Sequence, residues 1–113
     1  MKRGEVYLIR LDPVEGSEQS GVRPAVLVSR DAINLYSPVV VICPITDASH
    51  VKRKYPGDVL LKAPEGGLKK DSIVLTGQIR AVAKHRLAKL LGRLSSLSIL
   101  ELERAIKITL DLT

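Results

Sequence analysis

The chain has few aromatic side chains: three Tyr, no Phe and no Trp among its 113 residues. Proteins that hold single-stranded nucleic acid through a row of stacked bases need an aromatic face for each stacked base. This composition excludes that class of binder. Any RNA bound by this chain is expected to be held mainly through its phosphates and through polar contacts.

Cysteine and histidine are also scarce. The single cysteine, Cys43, excludes an internal disulfide and a cysteine-based metal cluster, and its apolar neighbours predict a buried, inert thiol. Neither His50 nor His85 has a serine, cysteine or metal-ligand partner at a known spacing, so we expect both to be solvated at the surface. A site made from the remaining Arg, Thr, Glu, Ser and Gln side chains suits charge stabilisation on a phosphorane, without metal or cofactor.

Long hydrophobic runs are absent too. No apolar stretch approaches the ~20 residues that cross a membrane, and the N-terminus shows no signal-peptide pattern. We therefore expect a cytoplasmic protein with no membrane contact. Its length predicts one domain over residues 1–113, and 45% hydrophobic with 27% charged residues is typical of a soluble globular chain.

Acidic residues are outnumbered, and the net charge is +6. The excess is uneven: residues 1–95 carry 16 Lys and Arg against 9 Asp and Glu, whereas residues 96–113 carry 2 against 3. A basic body of this kind indicates a polyanionic partner, most often nucleic acid. Charge that only maintains solubility is an equally good interpretation of the count alone.

Short strands separated by turn signals fill most of the chain. The pattern predicts strands at residues 5–11, 24–28, 39–46, 58–61 and 72–75, with the sheet continuing over 77–82 after a kink at Gly77. Residues 30–37 indicate a connection with one helical turn, and residues 83–94 fit either a helix or a strand broken at Gly92. Pro44, within the most apolar strand, requires a bulge, a sheet edge or a missing ladder bond.

The C-terminal segment has helical spacing. Ser95 or Ser96 is a suitable N-cap, and Ile99, Leu102 and Ala105 then recur at intervals of three. The whole pattern predicts a mainly β fold with a C-terminal α-helix, in the form of a small, strongly curved β-barrel.

Three polar residues stand at the ends of these strands. Arg23 precedes Pro24, which holds it in extended backbone where a glycine-bounded loop enters the sheet. Thr46 ends the most apolar strand, and its hydroxyl could donate to a ligand oxygen. Gln78 follows Gly77 and could contact a base edge. Taken alone, Arg23 and Thr46 are better explained as a solvated and a locally bonded residue at a strand end, and Gln78 has the alternative of a solvent-facing strand glutamine.

The order of motifs along the chain resembles the MazF/PemK family of toxin endoribonucleases. The similarity rests on the opening Gly4-Glu5-Val6-Tyr7, the loop and joint GSEQSGVRP at 16–24, the block ICPIT ending at Thr46, Asp71-Ser72, and Gln78-Ile79-Arg80. It covers nearly the whole chain. The family resemblance implies an SH3-like barrel with a C-terminal helix, the MazF/CcdB-like toxin fold, in agreement with the strand pattern.

The resemblance also implies a function. Members of this family are homodimeric, metal-independent enzymes that cut single-stranded messenger RNA at selected sequences, through attack of a 2′-hydroxyl on the scissile phosphate. Arg23 and Thr46 match the family's catalytic pair, and Glu18 could orient or accept the 2′-hydroxyl proton. The expected RNA contacts are Ser17, Gln19, Lys52, Arg53, Gln78 and Arg80.

The family further implies a cognate antitoxin that blocks the RNA groove and binds DNA together with the toxin. Two other functions use the same fold: an RNA-binding barrel without catalysis, and a toxin directed at a protein, like the gyrase-poison relatives. The presence of Arg23 with Thr46 argues against the first, and the intact GSEQSGVRP motif argues against the second.

Overall fold

The computed structural model describes residues 1–10 and 21–112. Its strands and helices follow one another along the chain as β1 (Glu5–Arg10), β2 (Val22–Leu27), α1 (Asp31–Tyr36), β3 (Val39–Asp47), β4 (Asp58–Leu61), β5 (Ser72–Leu75), β6 (Arg80–Ala83), β7 (Leu87–Arg93) and α2 (Ser96–Leu110). The mainly β fold with a C-terminal helix is confirmed. No helix in the described residues is long and apolar enough to cross a membrane.

The strands form one antiparallel sheet in the order β4-β5-β3-β2-β1-β7, with β6 also paired to β3. The sheet curves, but β4 and β7 stand at opposite ends of the order, so the described strands do not close a hydrogen-bonded ring. The turn Glu65–Gly67 covers this gap by packing on β7. A Cβ atom on Gly92 would lie 2.7 Å from the backbone of Gly66, so only glycine allows that approach.

Residues 83–94 are the segment whose structure the sequence left open. A short turn at Lys84–Arg86 is followed by β7, which pairs with β1 through two irregularities in register. The predicted break at Gly92 is wrong, because β7 continues through this residue to Arg93. Gly92 instead allows the close approach of the Gly66 backbone. The expected continuation of the sheet from Gly77 starts only at Arg80, since Thr76–Gln78 forms a 3₁₀ turn.

Strand β3 is the centre of the sheet, as its apolar sequence predicted. It pairs with β2 on one side and, on the other, first with β6 up to Ile42 and then with β5 from Ile45. Pro44 therefore lies between two ladders, where a residue without an N–H costs least.

Alternating side chains of the strands bury two apolar clusters. The first packs the sheet against α2 and includes Val26, Cys43, Leu102 and Ala105. The second lies on the opposite face; its members are Ile9, Ala25, Leu27, Val40, Ile42 and Val82. Burial raises the pKa of the Cys43 thiol to about 12, in agreement with the expected buried cysteine.

Helix α2 starts where the sequence indicated. The hydroxyl of Ser95 accepts a hydrogen bond from the Ser98 amide at 3.2 Å, which makes Ser95 the N-cap. The helix ends at Asp111, which adopts the left-handed conformation, and Arg3 fixes its middle turn through a 2.9 Å ion pair with Glu103.

Candidate nucleic-acid interface

Strands β2 and β3 carry Arg23 and Thr46 at the same end of their ladder. The observed pairs are Leu27 with Ile42, Val26 with Cys43 and Ala25 with Pro44. The ladder between the two strands ends at Ala25 and Pro44, and Arg23 and Thr46 each lie two residues beyond it. Because side chains alternate along a strand, both belong to the sheet face that carries the second apolar cluster. The two residues selected from the sequence thus lie at the same end of one sheet face.

Strand β6 adds a second arginine to the same face. Arg80 pairs with Ile42, and residues directly opposite each other in an antiparallel pair point to the same side. The turn Thr76–Gln78 comes just before it and exposes Gln78. Helix α2 anchors this turn, since the buried Thr76 hydroxyl lies 2.6 Å from the hydroxyl of Thr109 in α2.

These side chains surround a cleft of about 680 Å³. Its apolar lining consists of Ile9, Pro24, Ile42, Pro44, Ile45 and Leu75. Its polar lining consists of Arg23, Thr46, His50, Gln78 and Arg80. Guanidinium groups beside an apolar lining form the kind of surface that suits a nucleotide chain, since arginine matches phosphate and apolar side chains match sugars and bases.

His50 is the member of this lining that the sequence analysis missed. We expected a solvated surface histidine, and its side chain is indeed exposed, but it lies at the cleft. The signal was the pattern Asp47-x-Ser49 directly after Thr46, in which an aspartate side chain bonds the amide two residues on and turns the chain back.

The turn that carries His50 is well anchored. Asp47 accepts hydrogen bonds from the Ser49 amide at 2.9 Å and from the Ser49 hydroxyl at 2.8 Å. These bonds, with smaller contributions from Lys70 and His50, hold the pKa of Asp47 below its ordinary value against partial desolvation. The Lys70 ammonium lies 3.7 Å from the second carboxylate oxygen.

Other residues assigned from the sequence are not at the cleft. Lys52 and Arg53 are exposed in the loop after His50 and do not line it. His85 is exposed in the turn before β7, also outside the lining. Ser17, Glu18 and Gln19 lie outside the described residues. Within residues 1–10 and 21–112, no three His, Cys, Asp or Glu side chains are grouped as a metal site would require.

Comparison with protein families gives one match over nearly the whole chain. Residues 2–110 match the model of the PemK-like, MazF-like toxins of type II toxin–antitoxin systems. The chain is also 44% identical, over 99% of its length, to an Endoribonuclease MazF of Staphylococcus epidermidis, of which it covers 92%. It has the same identity and coverage with an Endoribonuclease MazF of Staphylococcus saprophyticus.

Solved structures share the fold. MazF of Deinococcus radiodurans superimposes with a TM-score of 0.76 at 26% identity, covering 98% of this chain and 96% of that one. A mycobacterial endoribonuclease, solved in complex with its cognate antitoxin, gives a TM-score of 0.81 at 23% identity, covering 100% of this chain and 97% of that one.

Proposed function

The chain belongs to the family of PemK-like and MazF-like toxins of type II toxin–antitoxin systems, and from this premise we propose how its cleft cuts RNA. At 44% identity over almost the whole chain, the endoribonuclease activity of its relatives carries over to it. It is an endoribonuclease toxin. We propose that its substrate is single-stranded messenger RNA, cut at selected sequences without a metal ion.

The observation that carries the proposal is the single cleft shared by Arg23 and Thr46. A guanidinium group matches two phosphate oxygens at once, and its pKa above ~12 keeps it charged. We assign Arg23 to stabilising the negative charge that develops on the scissile phosphate. Thr46, on β3, donates its hydroxyl proton to the same phosphate.

The remaining polar residues position the RNA. Arg80 adds a second phosphate contact on the same sheet face, and the exposed amide of Gln78 can contact a base edge. Lys52 and Arg53 lie outside the cleft and would contact the RNA where it leaves the cleft. Ser17, Gln19 and Glu18 stay in the proposal on the family resemblance alone, Glu18 as a group that orients the 2′-hydroxyl.

The reaction is attack of the 2′-hydroxyl on the adjacent phosphorus, which leaves a 2′,3′-cyclic phosphate and a free 5′-hydroxyl. Charge accumulates on the phosphoryl oxygens in the transition state, where cations placed in advance are most effective. Arg23, Thr46 and Arg80 supply such groups on three neighbouring strands.

The proposed assembly is a homodimer with the RNA groove at its interface. A cognate antitoxin would block the groove and bind DNA with the toxin, as a basic surface favours an acidic partner segment. We place the activity in the cytoplasm, where messenger RNA is translated.

End mapping tests the proposal. Purified protein is incubated with a long single-stranded RNA in excess EDTA, and the products are sequenced. We expect discrete cuts with cyclic phosphate and 5′-hydroxyl ends, and little cutting of a fully double-stranded RNA, whose base edges are hidden. Loss of cutting in EDTA with recovery in magnesium would contradict the metal-independent mechanism. Binding without cutting would favour the non-catalytic barrel.

A further inference from the structure

His50 lines the cleft but has no role in the proposed mechanism. The 2′-hydroxyl must lose a proton as it attacks phosphorus, and Arg23, Thr46, Gln78 and Arg80 are poor acceptors. Arginine keeps its proton at any physiological pH, and neither the threonine hydroxyl nor the glutamine amide takes one near neutrality. Among the cleft-lining residues of the described chain, His50 is the one whose side chain type accepts a proton near pH 7.

We propose that His50 is the general base that takes the 2′-hydroxyl proton during RNA cleavage. The inference rests on the proposed function, since it names the proton acceptor of that reaction. It differs from the sequence-based assignment, which gives catalysis to Arg23 and Thr46, names Glu18 as a group that could orient or accept the 2′-hydroxyl proton, and gives His50 no role.

The backbone fixes where the imidazole is presented. His50 ends the one-turn helix Ala48–His50, which starts two residues after Thr46. Asp47 caps that turn through both the amide and the hydroxyl of Ser49, and the Val51 amide closes it on the Ala48 carbonyl at 3.2 Å. The base is thereby carried on the turn that directly follows β3, the strand of the phosphate donor Thr46, and both residues line the cleft.

The charged groups around His50 come from four parts of the chain. Arg23 of β2 and Arg80 of β6 share the cleft with it. Asp47 lies at the start of its own turn, with Lys70 paired to that carboxylate. Bound RNA adds phosphate charge. The cations remain charged throughout the neutral range, so they contribute no change in rate with pH there.

The step balances without a further reagent. The neutral imidazole takes the 2′-hydroxyl proton while the 2′-oxygen bonds to phosphorus and the bond from phosphorus to the 5′-oxygen breaks. The departing 5′-oxygen takes a proton from water, and the imidazolium then returns its proton to the hydroxide so formed. The net reaction is a transesterification with no change in proton number.

The test is the pH dependence of single-turnover cleavage, in EDTA, for three proteins. The wild-type rate should rise with pH through an ionisation that the variant without the imidazole lacks. His50→Gln keeps a polar side chain of similar reach but cannot titrate. We expect it to be slower by roughly 10²–10⁴ at neutral pH and to lose the rising limb.

His85→Gln is the matched control, because His85 is exposed and lies outside the cleft lining. It should retain the wild-type rate and profile. A wild-type rate and profile in His50→Gln would overturn the proposal while leaving the endoribonuclease mechanism intact. A slower variant with an unchanged rising limb would also overturn it, since that result describes an RNA contact.

Two further measurements separate a base from a structural residue. Added imidazole should restore part of the activity of His50→Ala and none of the activity of Arg23→Ala, and absence of any rescue would count against the base. Thermal melts of each variant establish folding. If the wild-type protein itself cuts no RNA at any pH, the proposed function fails, and the role of His50 falls with it.

Discussion

Arg23 and Thr46 show what a sequence can establish about single residues. Each could be selected because it lies at the end of a strand next to a loop, and the folded sheet then places both at one cleft. His50 could not be selected in the same way. Its position depends on a turn bonded through Asp47 and Ser49: the pattern Asp47-x-Ser49 indicates the turn, but not that the turn places His50 at a cleft.

The proposed role of Arg23 at the scissile phosphate gives the first residue-level prediction. Arg23→Ala should slow single-turnover cleavage by about 10²–10³, roughly 3–4 kcal/mol of barrier, because the lost cation acts on transition-state charge. Arg23→Lys should recover only part of this, since a point charge replaces a two-pronged donor. RNA binding should weaken little. The measurement is the cleavage rate with saturating enzyme.

Arg104→Ala is the control for Arg23, as Arg104 is an exposed arginine of α2 outside the cleft lining. Both alanine variants should melt close to the wild-type temperature, since exposed substitutions change stability by about ±0.5 kcal/mol. Wild-type cleavage by a folded Arg23→Ala protein would show that the assigned phosphate contact is not catalytic.

Asp47 gives a prediction about pH. Its pKa is lowered from 3.8 in the folded protein, first by the Ser49 amide bond and then by the Ser49 hydroxyl. The carboxylate therefore stabilises the fold fully above about 3.8, and this stabilisation is lost as the pH falls through the lowered value. Thermal melts of wild type and Asp47→Asn should differ at pH 6, and the difference should shrink as the pH falls below 3.8. A constant difference would contradict the role of the charge.

At the scale of elements, strands with clear alternation or strong apolar content were predictable. The central strand β3 and the C-terminal helix follow from their sequences. The segment 83–94 did not, because its leucines fit both a helical and an extended period. Tertiary contacts decide in favour of β7. The strand pairs with the edge of β1, and Gly92 allows the backbone of Gly66 to approach closely.

The N-terminus of α2 allows an element-level prediction. Ser95→Ala removes the hydroxyl that accepts the Ser98 amide bond and that donates to Glu65 at 3.1 Å. Loss of such a cap costs about 1 kcal/mol of unfolding free energy. Ser96→Ala is the matched control, since Ser96 is exposed and lies just inside the helix. Urea melts should show a lower midpoint for Ser95→Ala only. Equal midpoints would mean that the cap contributes nothing.

At the scale of the molecule, the sequence predicted a barrel, whereas the described strands leave the ring open between β4 and β7. Closure is a long-range property: it depends on whether the two end strands meet, and no local pattern reports that. The cleft follows from the same curvature, because the strands that carry Arg23, Thr46 and Arg80 are neighbours in the sheet order or paired with β3.

The last prediction concerns assembly. One chain of 12.3 kDa leaves large apolar side chains exposed around the end of α1, with Leu35 at 64% and Tyr36 at 82% exposure, and surfaces of this kind favour association. If the RNA groove is shared between two copies, the cleavage rate per chain should fall when dilution separates them. Light scattering and cleavage assays over the same concentration series check this. At micromolar concentration we expect light scattering to give twice the mass of one chain. On dilution, the specific activity should fall in parallel with the loss of this dimer. Full activity in a species that scatters as a monomer would show that one cleft is sufficient.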